Sequence, residues 1–176
     1  LDPASEQQIG SAKEIPPTWA KFVRLLVGKE VCPTKVEVRD AATPGVFLTL
    51  RKGPGLFRHT VTASDGLGQT IGVFRTKLFS WRSCLLLYGP DARPLGELKG
   101  DWKRWNFTIR DTMDRELATI TKKWAGIGKE LFTTADSYII ALSDSATSKT
   151  MGNTDLATFV LAVGLALDLT IKEESN

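Results

Sequence analysis

Three consecutive stretches of this chain, Arg58 to Trp81, Arg82 to Trp105 and Asn106 to Gly126, spell the same phrase. Each opens with a short alternating run, passes through a polar turn and resumes with a small residue inside an apolar run. The turns are Ser64-Asp65-Gly66, Gly89-Pro90-Asp91 and Asp111-Thr112-Met113-Asp114. The resumptions are Ile71-Gly72-Val73-Phe74, Leu95-Gly96-Glu97-Leu98 and Leu117-Ala118-Thr119-Ile120. Phe57, Trp81 and Trp105 mark the seams at intervals of 24 residues. A unit this short, with turn chemistry at its centre and two-residue alternation on each side, is a β-hairpin, and serial hairpins make a meander. The expected product is a closed or strongly curved antiparallel sheet.

With 176 residues, 42% apolar and 24% charged, the chain has the composition of an ordinary globular protein and not of a disordered one. Residues 1–18, rich in Pro, Ser, Gln and Glu, read as a flexible lead-in without a signal-peptide pattern, and residues 19–176 as a single domain. Thr18 is placed to cap a short helix from Trp19 to Val27, and strands are expected around Val36–Val38 and Val46–Leu50. Cys32 and Cys84 have no metal-like spacing, and two free thiols in a reducing compartment are favoured over a disulfide.

The second informative segment runs from Asn153 to Ile171. Asn153 or Thr154 suits an N-cap and Asp155 suits the positive end of the helix dipole. From Leu156 to Leu167 the residues are apolar around the whole circumference except for Thr158, so the helix needs surroundings of lipid or protein. The uninterrupted run is 12 residues before Asp168, well short of the roughly 20 needed to span a bilayer, which favours a helix buried in protein. A curved sheet and one wholly apolar helix, at about 154–171, together predict a barrel wrapped around that helix.

Charge is distributed unevenly. Residues 13–58 hold nine basic and four acidic side chains, residues 99–129 hold eight and four, and residues 130–176 hold two and seven. The barrel-forming part is therefore basic. That is either a solvated outer face or a patch for anionic head groups, for which Lys99, Lys103, Arg104, Lys122 and Lys123 are the candidates. Trp102, Trp105 and Trp124 lie beside these cations, as at a membrane interface or a stacked nucleic-acid strand, although core or rim packing of the barrel is the favoured role for most of them.

Enzymatic chemistry finds no foothold. His59 is the only histidine and falls in an alternating run where a strand-surface position is expected. Cys84 lies in an apolar strand that would bury its thiol. The Gly-rich pieces Gly53-Pro54-Gly55 and Gly66-Leu67-Gly68 precede strands and open no helix, so they are turn glycines and not phosphate cradles. No catalytic residue and no cofactor are assigned.

Several phrases resemble a known family. Lys77-Leu78-Phe79-Ser80-Trp81 is similar to a phrase of LURP-one-related proteins. Trp105 to Asp111, then Ile120 to Gly126, then Phe132 to Tyr138, in that order and followed by the apolar helix, resemble the second half of phospholipid scramblase-like proteins. Both belong to the tubby C-terminal-like superfamily. The resemblance implies a mainly β fold, a closed antiparallel barrel of about twelve strands around a C-terminal helix. It also implies a non-enzymatic, membrane-associated protein of phospholipid surfaces, intracellular and cytoplasmic or peripheral to a membrane. The family's calcium-associated stretch maps onto Asp136 to Asp144. Here two carboxylates flank an apolar strand that cannot curl round one ion, so Asp136 and Asp144 are weak calcium candidates. A regulatory or ligand-binding barrel, and nucleic-acid binding through basic strands, are the alternative readings.

Overall fold

The computed structural model describes residues 10–15, 33–40, 45–54, 59–77, 83–101, 106–123, 137–143 and 155–171. Ten strands precede one helix. They are β1 Gly10–Ile15, β2 Thr34–Asp40, β3 Val46–Lys52, β4 Thr60–Asp65, β5 Thr70–Thr76, β6 Ser83–Tyr88, β7 Pro94–Gly100, β8 Asn106–Asp111, β9 Glu116–Lys123 and β10 Ser137–Leu142, followed by α1, Leu156–Ile171. All pairings are antiparallel and the spatial order equals the chain order, so the sheet is a simple meander. β1 lies within the stretch read as a lead-in. Its outward residues Ser11, Lys13 and Ile15 show no apolar alternation, and the pairing with β2 makes the strand.

The three repeated phrases are the hairpins β4–β5, β6–β7 and β8–β9, and they close in the same way. The first turn residue, Asp65, Gly89 or Asp111, takes its N–H to the carbonyl of Gln69, Arg93 or Arg115, at 2.9, 2.8 and 3.0 Å. Its own carbonyl accepts from Gly68, Ala92 or Asp114, and those three residues all have positive φ, at 82°, 61° and 61°. The carboxylates of Asp65 and Asp111 brace their turns identically. Asp65 Oδ1 accepts from Leu67 and Gln69 N–H, and Asp111 Oδ1 from Met113 and Arg115 N–H, all at 2.8–2.9 Å. The second turn has Gly89 in that place and borrows Asp91, whose Oδ1 accepts from Arg93 N–H at 3.1 Å.

The small residue of each phrase belongs to a bulge beside the turn. Ala63 pairs with Gly72, Leu87 with Gly96 and Ile109 with Ala118, and in each case the register then skips one residue. The skipped residues, Ile71, Leu95 and Leu117, are buried beside their small neighbours. Two adjacent residues therefore crowd the same stretch of strand, and the second must be small. A Cβ on Gly72 would sit 3.0 Å from a ring carbon of Phe159, and one on Gly96 would run into the Arg110 carbonyl oxygen.

α1 packs against β3, β5 and β10. In a flat sheet β3 and β10 would lie about 33 Å apart at roughly 4.8 Å per strand, while a helix is about 10 Å across. The sheet is therefore curled around the helix. Its inner face supplies Val36, Leu48, Leu50, Val61, Phe74, Leu85, Leu98, Phe107, Ile109 and Ile120, and the helix supplies Phe159, Val160, Val163, Ala166 and Leu167. Phe159 meets Phe74 edge-on at 5.5 Å between centroids, and Gly164 lets Ile120 and Ile140 approach α1.

Two expectations change. Among the described residues the sheet has ten strands and no pairing of β1 with β10, so it is an open curled sheet and not a closed barrel of about twelve strands. The helix itself covers the inner face, so burial of that face does not require the edges to meet. Correspondingly, α1 is not wrapped on every side: Ala157 is exposed, and Leu161, Leu165 and Asp168, in line with it along the helix, are half-buried. The helix also begins later than expected. Asp155 is the cap, its Oδ2 accepting from the N–H of Thr158 at 3.1 Å. Among the described residues no helix is long and apolar enough to cross a membrane. The proposed helix from Trp19 to Val27 lies outside the described residues.

Candidate functional site

Because strands in a meander run alternately up and down, each end of the sheet collects residues from alternate strand termini. One end holds the three tight turns and the N-terminus of α1. The opposite end receives the starts of β2, β4, β6, β8 and β10 and the ends of β1, β3, β5, β7 and β9. The helix direction follows from its contacts: Phe159 lies against Gly72 near the turns, whereas Tyr138, near the start of β10, donates to Asp168 Oδ1 at 3.3 Å.

Charge separates along this axis. Every lysine among the described residues, Lys13, Lys35, Lys52, Lys77, Lys99, Lys122 and Lys123, has its backbone in the half away from the turns. The turn end holds Asp40, Asp65, Asp91, Asp111, Asp114, Glu116 and Asp155, against Arg39, Arg93, Arg110 and Arg115. The lysine end also has acids, Glu14, Asp101 and Asp168, and Glu37 and Glu97 lie on the strands between the ends.

The acids between the ends hold several cations. Glu97 takes Lys99 at 3.0 Å and Lys77 at 3.6 Å. Glu37 takes Lys35 at 2.6 Å and Arg39 at 3.1 Å, and these hydrogen bonds, from Lys35 first and then Arg39, lower its pKa below the usual carboxylate value. Lys99 is raised above the usual lysine value, chiefly by its hydrogen bond to Glu97, and it also reaches Asp114 at 3.5 Å. At the turn end Asp111 is buried, which by itself would raise its pKa. Hydrogen bonds from the Arg115 N–H, the Arg115 side chain and the Met113 N–H outweigh that and hold the carboxyl below its ordinary value.

Behind the lysines the core changes character. Thr34 and Lys52 face each other across β2 and β3, and both are buried, Lys52 to 1% exposure. His59 is buried as well, which corrects the expected surface position. It lies two residues before Val61 and shares that residue's inward face, while its backbone N–H donates to Thr76 Oγ1 at 2.8 Å. Thr170 ends the buried helix face at this level, its hydroxyl returned to the carbonyls of Ala166 and Leu167. An otherwise apolar core is thus capped by a polar layer under a cationic rim, an arrangement that can hold anions at its surface.

Of the five cations expected from sequence, Lys99 lies on β7 with the ion pairs described. Lys122 and Lys123 end β9, paired with Tyr138 and Ser137. Lys103 and Arg104 lie outside the described residues. The described residues that flank them, Asp101 and Asn106, are joined by a backbone hydrogen bond of 2.9 Å, and Asn106 pairs with Thr121 near the end of β9. Asp136 and Asp144 also lie outside the described residues, at either side of β10. Sequence reasoning missed Lys52 and His59. The signal was their parity with the apolar residues Leu50 and Val61 on the same strands.

No curated protein and no solved structure shows significant similarity to the chain. The family model described as Scramblase matches residues 7–174, nearly the whole length and the whole described fold. The chain belongs to the scramblase family.

Proposed function

We propose that this is a non-enzymatic, scramblase-like protein that meets anionic phospholipid surfaces with its lysine end. The observation that carries the reading is that every described lysine has its backbone in the half of the sheet away from the turns, where Asp101 and Asn106, the described residues that flank Trp102, Lys103, Arg104 and Trp105 in sequence, also lie. Family membership supports the lipid context. Exposed ion pairs such as Lys99–Glu97 contribute little to stability, so their lysines can exchange a carboxylate for a phosphate. Each lysine or arginine near an anionic membrane contributes about 1 kcal/mol. Binding of this kind is electrostatic and needs no calcium. Lipid movement, where it occurs, is physical perturbation of the bilayer and not bond chemistry.

Co-sedimentation with neutral and anionic vesicles tests this, with calcium or a chelator present and a random-DNA gel shift alongside. Binding is expected only to anionic vesicles, falling as salt shortens the screening length, equal with and without calcium. Reversing Lys103, Arg104, Lys122 and Lys123 to Glu should weaken it by roughly a hundredfold or more. Tight binding to neutral vesicles, a strict calcium requirement, or DNA binding stronger than lipid binding would overturn the reading.

A further inference from the structure

The turn end has a feature that neither the fold nor the lipid reading uses. Leu67 and Met113 occupy the same position in the first and third turns and are 85% and 75% exposed. The turn geometry does not ask for them, since Asp91 holds that position in the second turn without altering its hydrogen bonds. Phe47, packed under Gly66, and Leu142, at the end of β10, add 37% and 47% exposed apolar side chains at the same end. Four of the six large exposed apolar residues among the described residues thus share one end, where seven carboxylates outnumber four arginines.

With Arg93, Arg110 and Arg115 paired to Asp91, Asp114 and Asp111, the end keeps a surplus of carboxylates that an anionic membrane repels, and it suits a cationic protein surface whose lysine stems bring methylene groups along with the charge. This chain carries such a surface at its opposite end, where Lys13 is exposed and Ile15 is a further apolar residue at 39% exposure. We propose that the turn end is a docking surface for the lysine end of a second copy. A contact between two different patches is heterologous, so it propagates head to tail instead of closing into a symmetric dimer.

Two variants separate this arrangement from others. Leu67→Asp with Met113→Asp alters the turn end at exposed positions. Lys13→Glu with Lys122→Glu and Lys123→Glu alters the lysine end, and melting curves check that both fold. Sedimentation velocity over a concentration series should show wild-type association in about 0.1 M salt. It should be lost in about 1 M salt, as the screening length falls from about 10 to about 3 Å. Each variant alone should associate at least about tenfold more weakly. Mixed together, they retain one intact patch each and should form a one-to-one complex that grows no further. A wild-type protein that stays monomeric throughout overturns the proposal. So does a lysine-end variant that still dimerises by itself, because that would place turn end against turn end.

Discussion

At the turn end, three loops of different sequence close through the same pair of backbone hydrogen bonds, with the same residue turned to positive φ and a bulge at the same distance. At the lysine end the strands are joined by stretches of very different length, such as residues 16–33 and 124–136, and the core there turns polar. The first end is made by rules that act over about five residues. The second is made by which strand termini happen to meet, and that is the half where the described lysine backbones gather without disturbing the sheet. Local chemistry builds the scaffold at one end and leaves the other free to carry function.

The sharpest test of this contrast is in the core. Phe159 is fully buried against Phe74 and Gly72 on the turn side, so Phe159→Ala should cost about 3–5 kcal/mol in urea unfolding. Leu169, half-buried near the lysine end, should cost only about 1–2 kcal/mol on change to Ala. Equal losses would mean that the two halves of the core are packed alike.

Asp111→Ala should come next, at about 2–3 kcal/mol, because it removes a buried carboxylate that braces two N–H groups and holds Arg115 at 2.7 Å. Asp91→Ala, on an exposed carboxylate, should cost about 0.5 kcal/mol or less. A comparable loss at both would show that the second turn leans on its aspartate as heavily as the third.

Acid separates charge from shape at the same site. The folded Asp111 carboxyl lies below its ordinary value, so its contribution is fully present above about pH 4, the unfolded range. The contribution is lost as pH falls through the lower folded value. Asp111→Asn keeps an acceptor for the N–H groups and loses the charge. It should be less stable than wild type by about 1 kcal/mol at neutral pH, and the two melting curves should converge as acid is added below pH of about 4. A gap that stays constant into acid would mean that the charge contributes nothing.

The smallest effect lies at the positive-φ position. Ala92 holds a left-handed conformation at 61° that glycine adopts without strain, so Ala92→Gly should stabilise by roughly 0.5 kcal/mol after the entropy of the added glycine. Gly68→Ala should do the reverse, by up to about 1 kcal/mol. Opposite signs confirm a shared turn, and like signs break the equivalence.

The hairpins, the apolar helix and the family were all legible in the sequence because each depends on spacing within a short window. The position of the small residue in each phrase was legible too, but not its reason, since the bulge exists only once two strands are in register. β1 was not legible, because its strand character comes from β2. Asp155 was placed inside the helix because its neighbours Asn153 and Thr154 cap equally well by composition. The candidate site was harder. Local surplus singled out Lys99, Lys122 and Lys123 as candidates, but the ion pair of Lys99 with Asp114 crosses to the next hairpin. The polarity of the two ends also depends on strand direction, which a linear charge count averages away.

The helix that fills this sheet follows all ten described strands in chain order. α1 closes contacts with β3 across roughly 100 residues of sequence, so all ten strands leave the ribosome before their inner face has anything to cover it. Such long-range contacts form late and slowly, and an uncovered apolar sheet is prone to stick to its own kind in the interval. A nascent chain interrupted before Leu156 would have every strand and no core. The quality of this sheet in a cell therefore hangs on translation reaching α1, and a chaperone that binds curled apolar sheets would find its substrate here during that wait.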